Sequence, residues 1–234
     1  MADPRLAVLG DRFRSVEERI QSACARAGRR REEVTLVAVT KTVSVEIACL
    51  LPAVGQFHLG ESRPQELWRK AAVLPPTVLW HLVGHLQRNK IERTLPLVHL
   101  VHSVDSLRLL TALEEEAKNR QRHVDALLEV NASGEASKHG FAPDLVPQLA
   151  DAIANSKHVR VRGLMTMAAL EDDPERTRPT FAETRELRGR LKERLGPSIR
   201  LDLLSMGMSN DFEVAVEEGA TLVRIGTALF EGMS

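Results

Sequence analysis

Short apolar runs alternate along this chain with longer amphipathic stretches. In the opening stretch, apolar side chains recur every three or four residues, at Leu6, Leu9, Phe13, Val16, Ile20 and Cys24. This spacing places them on one face of a helix, so we predict a helix from residue 5 to about residue 27, ended by Gly28. The next run, VTLVAVT, is too short for a helix and too apolar for a strand with one face in water, which predicts a strand buried on both faces.

Seven further apolar runs repeat this pattern. They lie at 57–60, 78–84, 97–103, 123–131, 159–167, 199–207 and 221–227. Amphipathic stretches separate several of them, the clearest at 106–120, 144–156 and 179–195. Strict alternation of strand and helix implies parallel strands joined by right-handed crossovers. Eight such units predict an α/β fold, a single (β/α)8 TIM-type barrel with an extra N-terminal helix, and a doubly wound open sheet is the alternative.

The composition fits one ordinary globular domain. The chain has 234 residues, with 32 Lys and Arg against 32 Asp and Glu, so it carries no formal net charge. No linker-like segment interrupts it, and we expect residues 1–234 to form one domain. A neutral balance with 3% aromatic residues predicts no nucleic-acid partner. No run approaches the roughly 20 apolar residues of a membrane span, which predicts no membrane partner.

The cysteines and histidines give no metal site by their spacing. Cys24 and Cys49 have no Cys or His neighbour at zinc-site spacing, and two cysteines do not make a disulfide framework. His81 and His85 lie four apart, but on a predicted strand and its loop rather than on a helix, which favours a structural or cofactor-neighbour role. We therefore expect no metal and a cytoplasmic location, and we expect a monomer or a weak dimer.

The residues that follow the predicted strands carry the candidate chemistry, because a parallel barrel places its site at the carboxyl ends of its strands. Lys41 follows the first strand, where an amine can form a Schiff base, although a solvated loop position fits it as well. Glycine and hydroxyl residues follow the last two strands, in SMGMSN and in IGT, and such turns bind phosphate. An amine beside a phosphate site predicts pyridoxal 5′-phosphate (PLP), which carries an aldehyde and a phosphate.

Longer motifs carry a family resemblance: LVAVTK, GESRPQE, WHLVGHLQRNK, VHSVDS, GLMTM and LSMGMSNDFEVAVEEGATLVRIGTALF. Together they extend over about residues 34 to 230 and resemble the pyridoxal phosphate homeostasis proteins of the YggS/PROSC type. The resemblance implies a barrel similar to the N-terminal domain of alanine racemase, with PLP held as a Schiff base on Lys41 and with Arg224 facing the pyridine nitrogen. It implies phosphate contacts at Ser209, Gly226 and Thr227 and, less directly, at Ser205.

The resemblance also implies a function. Proteins of this family store, buffer or deliver the cofactor, so the partners expected here are PLP and, during delivery, PLP-dependent apoenzymes. An arginine keeps its proton and leaves the pyridine nitrogen unprotonated, which makes the ring a weaker electron sink. The chain also contains no tyrosine, the base that a racemase of this type needs. These points favour intracellular vitamin B6 homeostasis without robust catalysis, and a weakly active amino-acid racemase-like enzyme is the alternative.

Two positions depart from the family pattern, and two other residues have alternative roles. Ser62 stands where family members usually have an asparagine, so a hydroxyl replaces an amide near the cofactor. The ending LFEGMS departs from the usual Phe-Gly-x-Arg. Lys138 matches a lysine near the cofactor entrance and is either an amine that accepts the aldehyde in transit or a solvated loop lysine. A phosphate-binding barrel without PLP, such as a sugar-phosphate isomerase, would need Glu61 as its carboxylate base.

Overall fold

Parallel strands close into a barrel in the order of the chain. The computed structural model describes residues 3–135 and 139–233. The strands are β1 (Thr35–Val39), β2 (His58–Glu61), β3 (Leu79–Leu82), β4 (Val98–Val104), β5 (Val124–Val130), β6 (Val159–Thr166), β7 (Leu203–Ser205) and β8 (Leu222–Ile225). Each predicted apolar run overlaps one of them, and β1 pairs with both β2 and β8. The closed barrel is confirmed, and the open sheet is excluded.

Helices connect the strands. They are α1 (Pro4–Arg26), α2 (Val45–Ala48), α3 (Pro64–Ala71), α4 (Ile91–Thr94), α5 (Leu107–Asn119), α6 (Ala150–Asn155), α7 (Arg178–Leu195), α8 (Phe212–Glu217) and α9 (Thr227–Phe230). Short 3-10 helices lie at 31–33, 51–54, 88–90, 143–149 and 174–177. The first predicted helix is confirmed as α1. Over the described ranges, no helix combines the length and the apolar character needed to cross a membrane.

Two elements are shorter than their sequence patterns. The stretch 144–156 forms a 3-10 helix at Pro143–Leu149 followed by α6, rather than one continuous helix. Pro147 lies inside the 3-10 segment and has no N–H to donate to the preceding turn, which disfavours a continuous α-helix there. The run 199–207 contains only the three residues of β7, which pairs with β8 through Ser205 and Leu222.

The N-terminal helix packs beside the last unit of the barrel. Leu9, Val16 and Ile20 place the apolar face of α1 in the main hydrophobic core, and α1 contacts α8 and α9. On its polar side, Arg19 forms an ion pair with Glu213 at 2.8 Å. The helix therefore supports the segment that follows β7 and β8, where the predicted phosphate turns lie.

A smaller apolar cluster fills part of the barrel interior, with Val37, Leu100, Leu127, Met165 and Leu222. Side chains alternate in direction along a strand, so the next inward positions lie two residues further on. Those positions include His102, Glu129 and Arg224, all buried. Along these strands, the inward positions thus change from apolar to polar toward the carboxyl ends.

Candidate functional site

A cavity of about 250 Å³ opens at the carboxyl ends of the strands. Its lining includes six of the seven predicted site residues: Lys41, Ser62, Ser209, Arg224, Gly226 and Thr227. Val39, Val83 and Met167 add apolar wall. The structure therefore brings an amine, a guanidinium and several hydroxyl groups together in one partly apolar cavity.

Lys41 and Arg224 belong to the two strands that close the barrel. β1 pairs with β8, and Val37 lies opposite Arg224 in this register. Lys41 follows the end of β1 and is exposed, whereas Arg224 has only 5% of its surface exposed. The amine is thus accessible to a molecule entering the cavity, and the guanidinium forms part of the buried wall.

Arg224 is a buried cation held by neutral groups. Its Nη1 donates to Ser205 Oγ at 2.6 Å, and its Nη2 donates to the carbonyl oxygen of Thr166 at 2.8 Å. Among the ion pairs of the described residues, none involves Arg224. Burial lowers the pKa of its guanidinium to about 10, which still leaves it protonated at neutral pH. A buried, charged donor at a cavity wall suits a ligand with an acceptor atom or a negative charge.

The turn after β7 is fixed by its backbone and by one carboxylate. Gly207 has a φ of +92°, and a Cβ there would lie 2.6 Å from the Cβ of Ala215, so this position requires glycine. Asp211 lies directly before α8, and its side chain makes no capping hydrogen bond to that helix. Its carboxylate instead accepts from the backbone N–H of Met208 at 2.5 Å, and burial raises its pKa.

Ser209 connects this turn to the start of the last helix. Its Oγ accepts from the backbone N–H of Ala228 at 3.2 Å, next to Thr227. The two glycine- and hydroxyl-rich turns predicted from the sequence, after β7 and after β8, therefore meet at one side of the cavity. Together they present hydroxyl groups and helix-start N–H groups, the donors that proteins use for phosphate.

Ser205 lies beneath the cavity rather than in its lining. It is fully buried, accepts from Arg224, and its Oγ lies 2.8 Å from Nδ1 of His102. From His102 the contacts continue to His81, at 2.9 Å, and from His81 to His58, at 3.0 Å. We call His58, His81 and His102 the histidine column. It runs through the barrel interior from the first residue of β2 to the buried guanidinium.

One direction is consistent with all of these hydrogen bonds. Arginine only donates, so Ser205 accepts from Arg224 and has its own proton to donate to Nδ1 of His102. In this arrangement His102 donates from Nε2 to Nδ1 of His81, and His81 donates from Nε2 to Nδ1 of His58. Burial lowers the pKa of His81 and of His102 well below the usual value, which keeps both rings neutral, as this arrangement requires.

Glu61, the base required by the isomerase alternative, is engaged in a buried ion pair. Its Oε1 lies 2.5 Å from Lys70 Nζ and accepts from Thr40 Oγ1 at 2.6 Å. Glu61 and Lys70 are almost completely buried, and Glu61 is not among the residues that line the cavity. Its Oε2 has no hydrogen-bond partner among the described residues. The pair stabilises the β2–α3 unit and offers no base to a ligand in the cavity.

The donors around the cavity fit PLP. The cofactor has an aldehyde, an aromatic ring with an acceptor nitrogen, and a phosphate. Lys41 supplies an amine, Val39 and Met167 supply apolar wall, and Arg224 supplies a charged donor that forms no ion pair with a carboxylate of the described residues. Lys138, the proposed transit amine, lies outside the described residues.

Comparison with known proteins agrees with the fold and the cavity. The family described as the alanine racemase N-terminal domain matches residues 14–233. The chain is therefore a barrel of the alanine racemase N-terminal class.

Closer relatives define the family more narrowly. The chain is 41% identical over 221 residues to the pyridoxal phosphate homeostasis protein of Aquifex aeolicus, covering 94% of this chain and 96% of the relative. Its identity to the protein of that name from Deinococcus radiodurans is 43% over 212 residues, covering 90% and 95%. The chain belongs to the pyridoxal phosphate homeostasis protein family, which confirms the resemblance. PipY from Synechococcus elongatus, solved with PLP bound, matches with a TM-score of 0.82 and 32% identity over 95% of this chain and 99% of PipY.

Proposed function

We propose that this chain binds PLP covalently on Lys41 and holds it for exchange with the cell's vitamin B6 pool. One observation carries the proposal: Lys41 and Arg224 line the same cavity, beside two turns rich in hydroxyl groups. The relatives support it, because they are named for PLP homeostasis and PipY was solved with PLP bound.

Each part of the cofactor has a matching group in the cavity. The Lys41 amine adds to the aldehyde carbon, a C=N bond forms and water leaves. Ser209, Gly226 and Thr227 would hold the phosphate through hydroxyl and N–H donors. Arg224 would donate to the pyridine nitrogen.

Ser205 and Ser62 complete the proposed site. Ser205 acts through Arg224, because its hydroxyl accepts from the guanidinium and it does not line the cavity. Ser62 lines the cavity, and it offers one hydroxyl donor where an asparagine amide would offer two.

The surroundings of the site favour retention and release over amino-acid turnover. When bound, PLP supplies an aldehyde that condenses with amines and a ring that withdraws electrons. Arg224 keeps its own proton at neutral pH, so it would leave the pyridine nitrogen unprotonated and weaken that withdrawal. The sequence has no tyrosine to act as the opposing base of a racemase. The racemase-like alternative would require a different base.

The experiment compares the wild type with Lys41→Ala and with a control, Lys118→Ala, which removes an exposed lysine of α5. Each protein is incubated with PLP, passed through gel filtration and examined by visible absorption. Borohydride reduction and peptide mass mapping then locate the attached cofactor. We expect a retained chromophore in the wild type and the control, fixed on Lys41, and none in Lys41→Ala. A chromophore that Lys41→Ala retains equally would overturn the proposal.

Two assays separate holding from catalysis. Deuterium exchange at the α-carbon of amino acids in heavy water reports racemase-like chemistry, which we expect to be negligible. Transfer is measured by mixing the loaded protein with a PLP-dependent apoenzyme and following its reactivation. Reactivation faster than free release of PLP supports direct delivery to apoenzymes, and equal rates support a buffer that releases the cofactor to solution.

We further propose that residues 1–234 act as one domain, as a monomer or a weak dimer, in the cytoplasm. A single closed barrel over the described ranges supports the first point. Cys24 and Cys49 are both free, which fits a reducing compartment. Light scattering across a range of concentrations tests the oligomeric state, and fractionation of cells tests the location.

A further inference from the structure

Three metal-ligating side chains meet at the barrel mouth, across from the seam that holds Lys41. They are His85, which follows β3, Asp105, which follows β4, and His139, which follows β5. One donor atom of each lies within 4.8 Å of the donor atoms of the other two. Three successive strands thus present ligands on the face of the barrel where such folds place their sites.

Hydrogen bonds already orient two of these side chains. Asp105 Oδ2 lies 2.7 Å from Nδ1 of His85, and Asp105 Oδ1 accepts from Ser106 Oγ at 3.1 Å. Ser106 is itself fixed, because it caps α5 by accepting from the backbone N–H of Leu109. Asp105 is half-buried. Because Ser106 is fixed at the start of α5, its hydrogen bond holds the carboxylate of Asp105 toward His85.

The third candidate ligand, His139, packs against the first, His85. The rings of His85 and His139 stack with their centroids 4.9 Å apart, and both histidines are exposed. An ion in solvent can therefore reach both imidazoles, whose candidate donor nitrogens lie within 4.8 Å of each other.

We propose that His85, Asp105 and His139 form a binding site for a divalent transition metal ion, with Zn²⁺ as the simplest occupant. Two imidazoles and one carboxylate are a donor set that zinc accepts. Three protein ligands leave a fourth position for water or for another ligand. Spacing within one segment did not indicate this site, because its members follow three different strands.

The site is separate from the cofactor cavity but adjoins it. None of its three ligands lines that cavity. His85 lines a neighbouring cleft, and this cleft shares Ser62 with the cofactor cavity. An ion there would have its open coordination position beside the entrance to the cofactor cavity. Because none of its ligands lines that cavity, the metal proposal does not depend on the role of Lys41.

The test uses the full-length protein without an affinity tag, stripped of metal by a chelator and then dialysed. Zn²⁺ is titrated by calorimetry, and Co²⁺ is titrated while its visible absorption reports the coordination geometry. The variants are His85→Ala, His139→Ala and Asp105→Asn. A matched control is His123→Ala, because His123 is also an exposed histidine that stacks on another, His158, beside a carboxylate.

We expect the wild type and the control to bind one ion per chain, with the cobalt spectrum of a low-coordinate site. His85→Ala and His139→Ala should lose saturable binding, and Asp105→Asn should weaken it by at least about tenfold. Lys41→Ala should bind Zn²⁺ as the wild type does, which separates this result from the fate of the PLP proposal. No saturable binding in the wild type, or equal binding in His85→Ala and His139→Ala, overturns the metal site.

Discussion

Arg224 Nη1 donates to Ser205 Oγ at 2.6 Å, from β8 to β7 inside the barrel. The same hydroxyl lies 2.8 Å from Nδ1 of His102, so it joins the buried cation to the histidine column. The guanidinium at the cavity wall is therefore positioned by a residue outside the lining of that cavity.

Replacing Ser205 with alanine tests this dependence. Ser205→Ala leaves a guanidinium N–H and Nδ1 of His102 without a partner in a buried place. We expect the free energy of unfolding to fall by about 1–3 kcal/mol, the cost of unpaired buried polar groups. PLP retention after gel filtration should also fall, because Arg224 loses one of its two anchors. The measurements are urea denaturation and the absorption of retained cofactor.

Ser22→Ala is the control for this experiment, because Ser22 is exposed on α1 and donates only to the carbonyl oxygen of Glu18. It should leave both the urea midpoint and the retained absorption unchanged. If Ser205→Ala behaves like Ser22→Ala in both assays, Ser205 does not position Arg224.

The histidine column makes stability depend on pH. Burial is the main cause that lowers the pKa of His81 and of His102 well below the usual 6.5. Neighbouring charges lower both further. Arg224 and His99 act on His102, and His102, His58 and His99 act on His81. The unfolded chain therefore binds protons below pH 6.5 that the folded barrel does not. We expect the free energy of unfolding to fall with decreasing pH, with a slope that approaches about 1.4 kcal/mol per pH unit for each of the two buried histidines well below pH 6.5.

The variant that checks this dependence is His102→Gln, which removes one of the two groups. Denaturation at several pH values from about 7 to about 5.5 should give a shallower slope than the wild type, with a difference that approaches about 1.4 kcal/mol per pH unit at the acid end. The slope is independent of any constant loss of stability that the substitution causes. His123→Gln, at an exposed position, should keep the slope of the wild type. Equal slopes for His102→Gln and His123→Gln would show that the column does not control the pH dependence.

The buried pair of Glu61 and Lys70 predicts a large loss of stability on removal of one charge, and its recovery on removal of both. Glu61→Gln leaves the ammonium of Lys70 buried without its carboxylate. We expect the free energy of unfolding to fall by about 3–5 kcal/mol. Adding Lys70→Met removes the uncompensated charge and should recover most of the loss, as seen by urea denaturation. A single variant as stable as the wild type would contradict the assignment of this pair.

Gly207 and Gly189 provide a paired test of the turn after β7. Gly207 has a positive φ and would place a Cβ 2.9 Å from the Cα of Phe212, so Gly207→Ala should lower stability by about 1–3 kcal/mol or more. Gly189 lies inside α7, and beyond its own helix backbone no heavy atom of the described residues lies within 4 Å of its Cβ position. Gly189→Ala should raise stability by about 0.5–1 kcal/mol. Thermal denaturation of both variants shows whether the loss is specific to the turn.

Much of the fold and of the site follows from the sequence because barrel topology is regular. Each apolar run predicts a strand, and each strand end contributes a residue to the same face. For that reason Lys41, Ser209 and Arg224 could be grouped without any knowledge of distances, and the structure places them around one cavity.

The histidine column and the proposed metal site depend on register and could not be predicted in this way. His81 lies opposite Gly60 on one side and Leu100 on the other, and only this register brings it within reach of His58 and His102. Sequence spacing gives direction along one strand but not the alignment of neighbouring strands. The partner of Glu61 could not be predicted either, because Lys70 lies on the following helix and spacing does not show that its side chain reaches the strand.

The seam between β1 and β8 determines when the proposed cofactor site can exist during synthesis. The lysine follows the first strand to emerge from the ribosome, and the arginine lies in the last. A nascent chain therefore carries the amine long before it carries the guanidinium, and it cannot assemble the pocket until the ring closes. If PLP binds here as proposed, its uptake requires a closed barrel, and its binding free energy favours the closed barrel over an open intermediate.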